Sequence, residues 1–453
     1  MKVIKIKKEW FSQSDLRIDA SFHLSEGRVT KLKIGKCPYS IKYLVDITEN
    51  IFNGARFKRY YVADPNKGVP FIGSSDMVKS ELGELKYISK RLSKNISKLL
   101  LKKSWTLVSC SGTIGNTVYT NEDFVNVAAS QHIMRIVPTK DIYSGFLYSF
   151  LSSKYGYSLL TQGTYGAVIQ HIEPQHLLNL PVPIFPELKQ KLIHDLIENA
   201  SLLKAEANRI LKEAVQFFET KIGISDTTLG FQYNKIKSSN LAEFHKRLDS
   251  QYNILWKSLK NDQLDTLNYE KIKTTSKSIF VGGRGKRMYV KNGIPFLSSS
   301  EMMLYNPKRK CKMVSKNTPG LNEMLVNKYD ILISRSGTVG NTIIVGDDLS
   351  GIAISEHALR LVIDMDKISP NYVFCFLKTK WGMRSMEASS FGSVIITLNE
   401  DLIGNIDIPI LSDQDQKHIN EKIENYIRKM DKSTLKENQA IDLIEKEIES
   451  WQE

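Results

Sequence analysis

The sequence predicts an α+β fold: two tandem-repeated globular domains joined by two long antiparallel coiled-coil helices. Three observations predict it. The chain of 453 residues repeats its own pattern once, at half its length. A stretch near the middle and another at the C-terminal end carry apolar residues at helical spacing, with no proline or glycine inside either. The segments between them read as short strands and turns with a few helices.

The repeat is the most specific of the three. Arg17-Ile-Asp-Ala-Ser-Phe22 is answered by Arg247-Leu-Asp-Ser-Gln-Tyr252, and Arg56-Phe-Lys-Arg-Tyr-Tyr-Val62 by Arg284-Gly-Lys-Arg-Met-Tyr-Val290. Gly68-Val-Pro-Phe-Ile72 returns as Gly293-Ile-Pro-Phe-Leu297, and Ser109-Cys-Ser-Gly-Thr-Ile-Gly-Asn-Thr117 as Ser334-Arg-Ser-Gly-Thr-Val-Gly-Asn-Thr342. Ser130-Gln-His132 pairs with Ser355-Glu-His357, Arg135 with Arg360, and Tyr165-Gly-Ala-Val-Ile169 with Phe391-Gly-Ser-Val-Ile395. The offset stays between 225 and 230, far longer than a solenoid period, so a whole domain is duplicated and both copies take one fold.

The first long helix is expected from Glu187 to Ile222. Pro181, Pro183 and Pro186 bar an earlier start and Gly223 supplies an end. Leu196, Leu203, Ile210 and Phe217, interleaved with Ala200, Ala207 and Ala214, alternate four and three residues apart, the seam of a coiled coil. Alanine at alternate positions lets a partner helix approach closely. At about 1.5 Å per residue the rod is roughly 54 Å long. The second helix is expected over 412–453, with Ser412 and Asp413 as caps. Ile419, Ile423, Tyr426 and Met430 form one seam and Ile441, Ile444, Ile448 and Trp451 another, across a polar middle, Asp431 to Asn438. The domain boundaries are then 1–186, 187–222, 223–411 and 412–453, with 223–240 as linker.

A net charge of +14 favours a polyanionic partner, nucleic acid first. No apolar run reaches the ~20 residues that span a bilayer, and the N-terminus lacks a signal-peptide core. Cys37, Cys110, Cys311 and Cys375 are isolated, which suits reduced thiols in a cytoplasmic protein.

The repeated basic turns are the candidate DNA contacts. Arg56, Lys58, Arg59, Tyr60 and Tyr61, with Arg284, Lys286, Arg287 and Tyr289, interleave cations and aromatics; arginine binds phosphate or a guanine edge, and tyrosine donates to phosphate. The Ser-Gly-Thr turns add Ser111 and Thr113, and Arg335, Ser336 and Thr338. They lack the lysine and the strand-to-helix setting of a phosphate loop, so they read as tight turns whose hydroxyls face DNA. His132 and His357 read as hydrogen-bonded structural histidines, since no cluster of metal ligands surrounds them.

No Asp/Asn-Pro-Pro-aromatic motif occurs, so the loop that amino-methyltransferases place at the target base is missing. Asp76 with Glu84-Leu-Lys86 has nuclease-like spacing, but the second copy offers Glu301 without a matching Glu-x-Lys. Neither catalysis nor a cofactor or metal is expected of this chain.

With its Ser334-Arg-Ser-Gly-Thr-Val-Gly340 turn and its Ile368-Ser-Pro-Asn-Tyr-Val-Phe-Cys-Phe-Leu377 segment, the chain resembles the specificity subunit of type I restriction–modification enzymes. The Val-Pro-Ile and Ile-Pro-Ile segments leading into Glu187-Leu-Lys-Gln-Lys and Asp413-Gln-Asp-Gln-Lys carry the same likeness. The resemblance implies a non-catalytic DNA-recognition subunit. It implies two target recognition domains, each reading one half of a bipartite double-stranded site, on two antiparallel helices. It further implies docking of two methyltransferase subunits, which bind S-adenosylmethionine, and of motor–nuclease subunits through them. A rod of roughly 54 Å covers one to two turns of duplex, each about 34–36 Å, and the copies differ enough for the two half-sites to differ. A recognition module of another phage-defence complex and a self-sufficient nuclease or modification enzyme stay open as other readings.

Overall fold

A computed structural model describes residues 25–83, 85–93, 96–162, 171–223, 267–336, 339–392 and 396–452. The Arg17 and Arg247 repeats, the Tyr165–Ile169 stretch, most of the 223–240 linker and Thr338 lie outside them. The chain divides into two compact units, Met1–Ala205 with Lys432–Glu453, and Glu206–Asp431.

In the first unit, β2 (Thr48–Asn53), β9 (Ile133–Pro138), β6 (Thr106–Ser109) and β7 (Thr117–Tyr119) form an antiparallel sheet in that spatial order. A second sheet runs β3 (Tyr61–Val62), β5 (Lys86–Ser89), β4 (Gly68–Ile72), β8 (Ala128–Ala129), with β4 and β8 parallel. β1 (Ile41–Tyr43) pairs with β10 (Pro181–Pro183). Helices α1 (Glu26–Ile34), α2 (Ser144–Ser152) and α3 (Lys154–Gln162) complete the globule. α1 lies against α3 at Gly27, where a Cβ would stand 2.6 Å from Ser158 O, and Thr30 Oγ1 meets Ser158 Oγ at 2.7 Å.

The second unit repeats this strand for strand. β12 (Ser276–Val281), β19 (Ala358–Ile363), β16 (Ile331–Ser334) and β17 (Thr342–Ile344) form its first sheet. β13 (Tyr289–Val290), β15 (Lys312–Val314), β14 (Ile294–Leu297) and β18 (Ala353–Ile354) form its second, again with the last pair parallel. β11 (Asn268–Lys271) pairs with β20 (Asp407–Ile410).

The long helices are α4 (Glu187–Lys221) and, after α5 (Pro370–Lys378) and α6 (Lys380–Ser389), α7 (Asp413–Ser450). Each unit takes one half of each. In the first, Lys189 pairs with Glu447, and Ser433 Oγ donates to Ala200 O at 2.6 Å. In the second, Glu206 meets Lys429 at 2.6 Å, Glu213 meets Lys422 at 3.0 Å, and Lys221 meets Asp415 at 2.8 Å. In both units the α7 number falls as the α4 number rises, so the halves pair antiparallel.

The seam differs from the expected one by one position at its large residues. Ala200, Ala207 and Ala214 are buried as expected, and Ile210 is buried too, but Leu196, Leu203 and Phe217 are only partly so. The buried line runs Ile193, Ile197, Ala200, Lys204, Ala207, Leu211, Ala214, Phe218, alternating four and three residues apart. It passes through a lysine, which an apolar count skips in favour of Leu203. Lys204 is 4% exposed and its charge faces that of Glu437, 2% exposed, which also accepts from Tyr148 Oη. The polar middle of α7 is thus seam as well: Ser433, Thr434 and Glu437 are all buried.

Candidate nucleic-acid interface

In each unit the earlier of the two connections that run from the first sheet to the second carries the repeated cations. In the first unit the loop covers 54–60, between β2 and β3, and in the second 282–288, between β12 and β13. Arg56, Lys58, Tyr60 and Tyr61 are exposed, as are Arg284, Lys286 and Tyr289. Arg59 and Arg287 are not free in the same way. Each lies half-buried over a β-strand phenylalanine, Arg59 at 4.9 Å from the Phe71 ring centre and Arg287 at 4.8 Å from that of Phe296.

Those two arginines begin a polar chain that reaches the Ser-Gly-Thr turn. Arg59 Nη2 donates to Gln131 Oε1 at 2.8 Å, Gln131 Nε2 lies 3.0 Å from His132 Nε2, and His132 Nδ1 lies 2.6 Å from Ser111 Oγ. With its oxygen engaged by the arginine, the Gln131 amide donates to His132 Nε2, which places the ring proton on Nδ1, toward Ser111. Burial, followed by the charges of Arg59, His171 and Arg56, lowers the His132 pKa and favours the neutral ring. In the second unit Arg287 pairs with the Glu356 carboxylate, His357 Nε2 lies 3.8 Å from Glu356 Oε1, and His357 Nδ1 lies 3.0 Å from Ser336 Oγ. The structure therefore joins the loop and the turn, which the sequence presents as separate motifs. Gln131 and Glu356 are the joining residues that sequence reasoning did not single out; their signal was the recurrence of Ser-Gln-His and Ser-Glu-His.

The turns connect antiparallel strands, β6 to β7 and β16 to β17. Ser109 Oγ donates to Thr113 O at 2.6 Å and accepts from Asn116 N at 3.0 Å, closing the first turn on itself. Gly115 has φ +78, and a Cβ there would stand 2.7 Å from Thr161 Cγ2, so the position requires glycine. Thr113 is exposed at the tip. Ser111 and Ser336 are partly buried against their histidines, and Arg335 Nε donates to Leu398 O at 3.0 Å. The exposed tyrosines carry cations on their rings: Lys58 over Tyr60 at 5.3 Å, Lys86 over Tyr61 at 5.8 Å, Lys312 over Tyr289 at 5.1 Å.

Behind each loop lies a buried arginine, and in the first unit it fastens one sheet to the other. Arg135, on β9, is fully buried and donates to Ala129 O at 2.5 Å, Ile133 O at 2.5 Å and Ser130 O at 2.9 Å. Arg360, on β19, donates to Leu325 O at 2.6 Å and Met324 O at 2.9 Å. Gly54, at the root of the first loop, leaves room for this group, since a Cβ there would lie 3.0 Å from Arg135 Nη1.

The model of the type I restriction modification DNA specificity domain matches this sequence twice, over residues 39–215 and 256–443. The chain belongs to that family. Both copies of the specificity domain contain the loop, the turn and the polar chain between them. Among solved structures, the chain is similar to the S subunit of a type I restriction-modification system from M. genitalium, at 14% identity and a TM-score of 0.37, over 92% of this chain and 96% of that one. It is also similar to the HsdS subunit from Thermoanaerobacter tengcongensis, at 13% identity and a TM-score of 0.29, over 91% and 96%. Comparison with curated proteins finds no match. Among the described residues of this specificity protein, no group of three or more His, Cys, Asp or Glu is placed to hold a metal ion, and no helix is long and apolar enough to cross a membrane.

Proposed function

We propose that this specificity protein is the non-catalytic DNA-recognition subunit of a cytoplasmic type I restriction–modification complex, reading a bipartite double-stranded site with one domain per half-site. The observation that carries the reading is the duplicated interface: an exposed pair of cations, Arg56 with Lys58 and Arg284 with Lys286, on a loop joined to the neighbouring turn by a polar chain at corresponding positions in both copies. Exposed arginine, lysine and tyrosine on a loop suit phosphate contacts, which position a protein on duplex and leave base reading to neighbouring residues. Arg59 and Arg287, held from below, orient the loops. Ser111, Thr113, Arg335, Ser336 and Thr338 are proposed to meet DNA from the adjoining turns.

Residues 1–186 and 223–411 are the proposed readers, and 187–222 and 412–453 the helices that set their spacing. The same helices are proposed to dock two methyltransferase subunits, and through them the restriction subunits. The methyl donor belongs to the methyltransferase, and the specificity chain takes no cofactor of its own. Co-expression with the neighbouring methyltransferase tests this reading. A complex that methylates DNA only when this chain is present supports it; methyl transfer or Mg²⁺-dependent cleavage by the purified chain alone contradicts it.

A further inference from the structure

The two basic loops are alike in sequence and unlike in the charges packed against them. Position by position, Arg56, Lys58 and Arg59 correspond to Arg284, Lys286 and Arg287, and each loop is followed by a tyrosine bearing a stacked lysine, Tyr61 with Lys86 and Tyr289 with Lys312. Beneath them the match ends. The inner arginine of the first loop is bonded to the neutral amide of Gln131, whereas that of the second is bonded to the carboxylate of Glu356.

A second difference has the same sign. Leu100 bridges to Ala128 and Leu325 to Ala353, which aligns Lys98 with Glu323. The Glu323 carboxylate lies against the second loop, where a Cβ placed on Gly283 would be 2.9 Å from its Oε2. The corresponding residue of the first unit, Lys98, is an exposed lysine. Glu356 is 12% exposed and Arg287 24%, so their attraction is screened less than that of a surface pair, and Arg287 offers little net charge to a phosphate. Among the described residues no carboxylate pairs with Arg59.

We infer that the two domains bind DNA unequally: the first supplies most of the phosphate attraction, and the second, its loop partly neutralised by Glu356 and Glu323, depends more on contacts that carry no net charge. The inference rests on the DNA-recognition reading above. Phosphate neutralisation releases counterions, and the logarithm of affinity falls against the logarithm of salt with a slope of about 0.9 per phosphate. This term is independent of sequence, so it is measurable without knowing the target.

The test is binding of the full chain to a random-sequence DNA duplex across a salt series. Arg56→Ala with Lys58→Ala is expected to reduce the slope by about 1.8, two phosphates' worth, and Arg284→Ala with Lys286→Ala by less than about 0.9. Glu356→Gln installs the amide already present at Gln131 and is expected to steepen the slope and to raise affinity several-fold at low salt. Equal losses from the two loop pairs, or a Glu356→Gln chain with the parental slope, would overturn the inference while leaving DNA recognition intact. Parental binding with no salt dependence would overturn the recognition reading itself, and this inference with it.

Discussion

The guanidinium of Arg135 donates to the main-chain carbonyl of Ala129 at 2.5 Å, tying β9 of one sheet to β8 of the other inside the first unit. Arg135 has no exposed surface, and burial depresses its pKa to about 10, still far above neutrality, so the charge persists. Arg135→Met keeps the length and removes every donor. The stranded carbonyls each cost about 1–3 kcal/mol, so the loss should exceed about 3 kcal/mol. Urea denaturation of the full chain checks this, and an unchanged transition midpoint would show that the arginine does not fasten the sheets.

The position of the helix seam predicts an order among substitutions. Ile197 is 2% exposed whereas Leu203 is half-buried on the flank of α4. An aspartate at Ile197 must lose its hydration, while one at Leu203 can turn outward. Ile197→Asp should therefore lower the melting temperature far more than Leu203→Asp. Ala207→Leu should also destabilise, by about 1–3 kcal/mol, because Ala207 is completely buried and a larger side chain would overpack the core around it. Equal damage at Ile197 and Leu203 would place the seam where apolar spacing alone puts it.

Lys204 makes stability depend on pH in a defined direction. Burial lowers its pKa from the ordinary lysine value of 10.5 to about 8, and the carboxylates of Glu437, Asp123 and Glu81 only partly offset that. Between these two values the unfolded chain binds more protons at this site than the folded one, so its contribution to stability rises with pH. Measured against Lys204→Met/Glu437→Leu, which has neither group, the parent should gain relative stability from about pH 8 to about pH 10.5. A parent that loses relative stability over that window would mean that ion pairing outweighs burial at Lys204.

Much of this architecture is legible in the sequence because it is written twice. A repeat of half the chain exposes the duplicated domain, and proline and glycine bracket the α4 helix closely. The alternation around Ser109–Thr117 gives the hairpin, and the absence of a helix after it rules out a phosphate loop. What sequence alone does not yield are contacts between distant residues. Leu203 looks like seam and Lys204 like surface until Glu437, far along the chain, is placed opposite. Arg59 looks as available as Arg56 until Gln131 and Phe71 are seen beneath it. The joining role of Gln131 and Glu356 is likewise a property of two strands meeting, and the exchange of amide for carboxylate gains meaning only once both arginines are in place.

The most direct test of one reader per half-site is methylation mapping of the reconstituted complex after residues 247–411 are replaced by the corresponding domain of a relative. Independent readers on helices that set the spacing predict a target changed in one half, with the other half and the gap between them preserved. A swap that rewrites both halves, or leaves both as they were, contradicts the account.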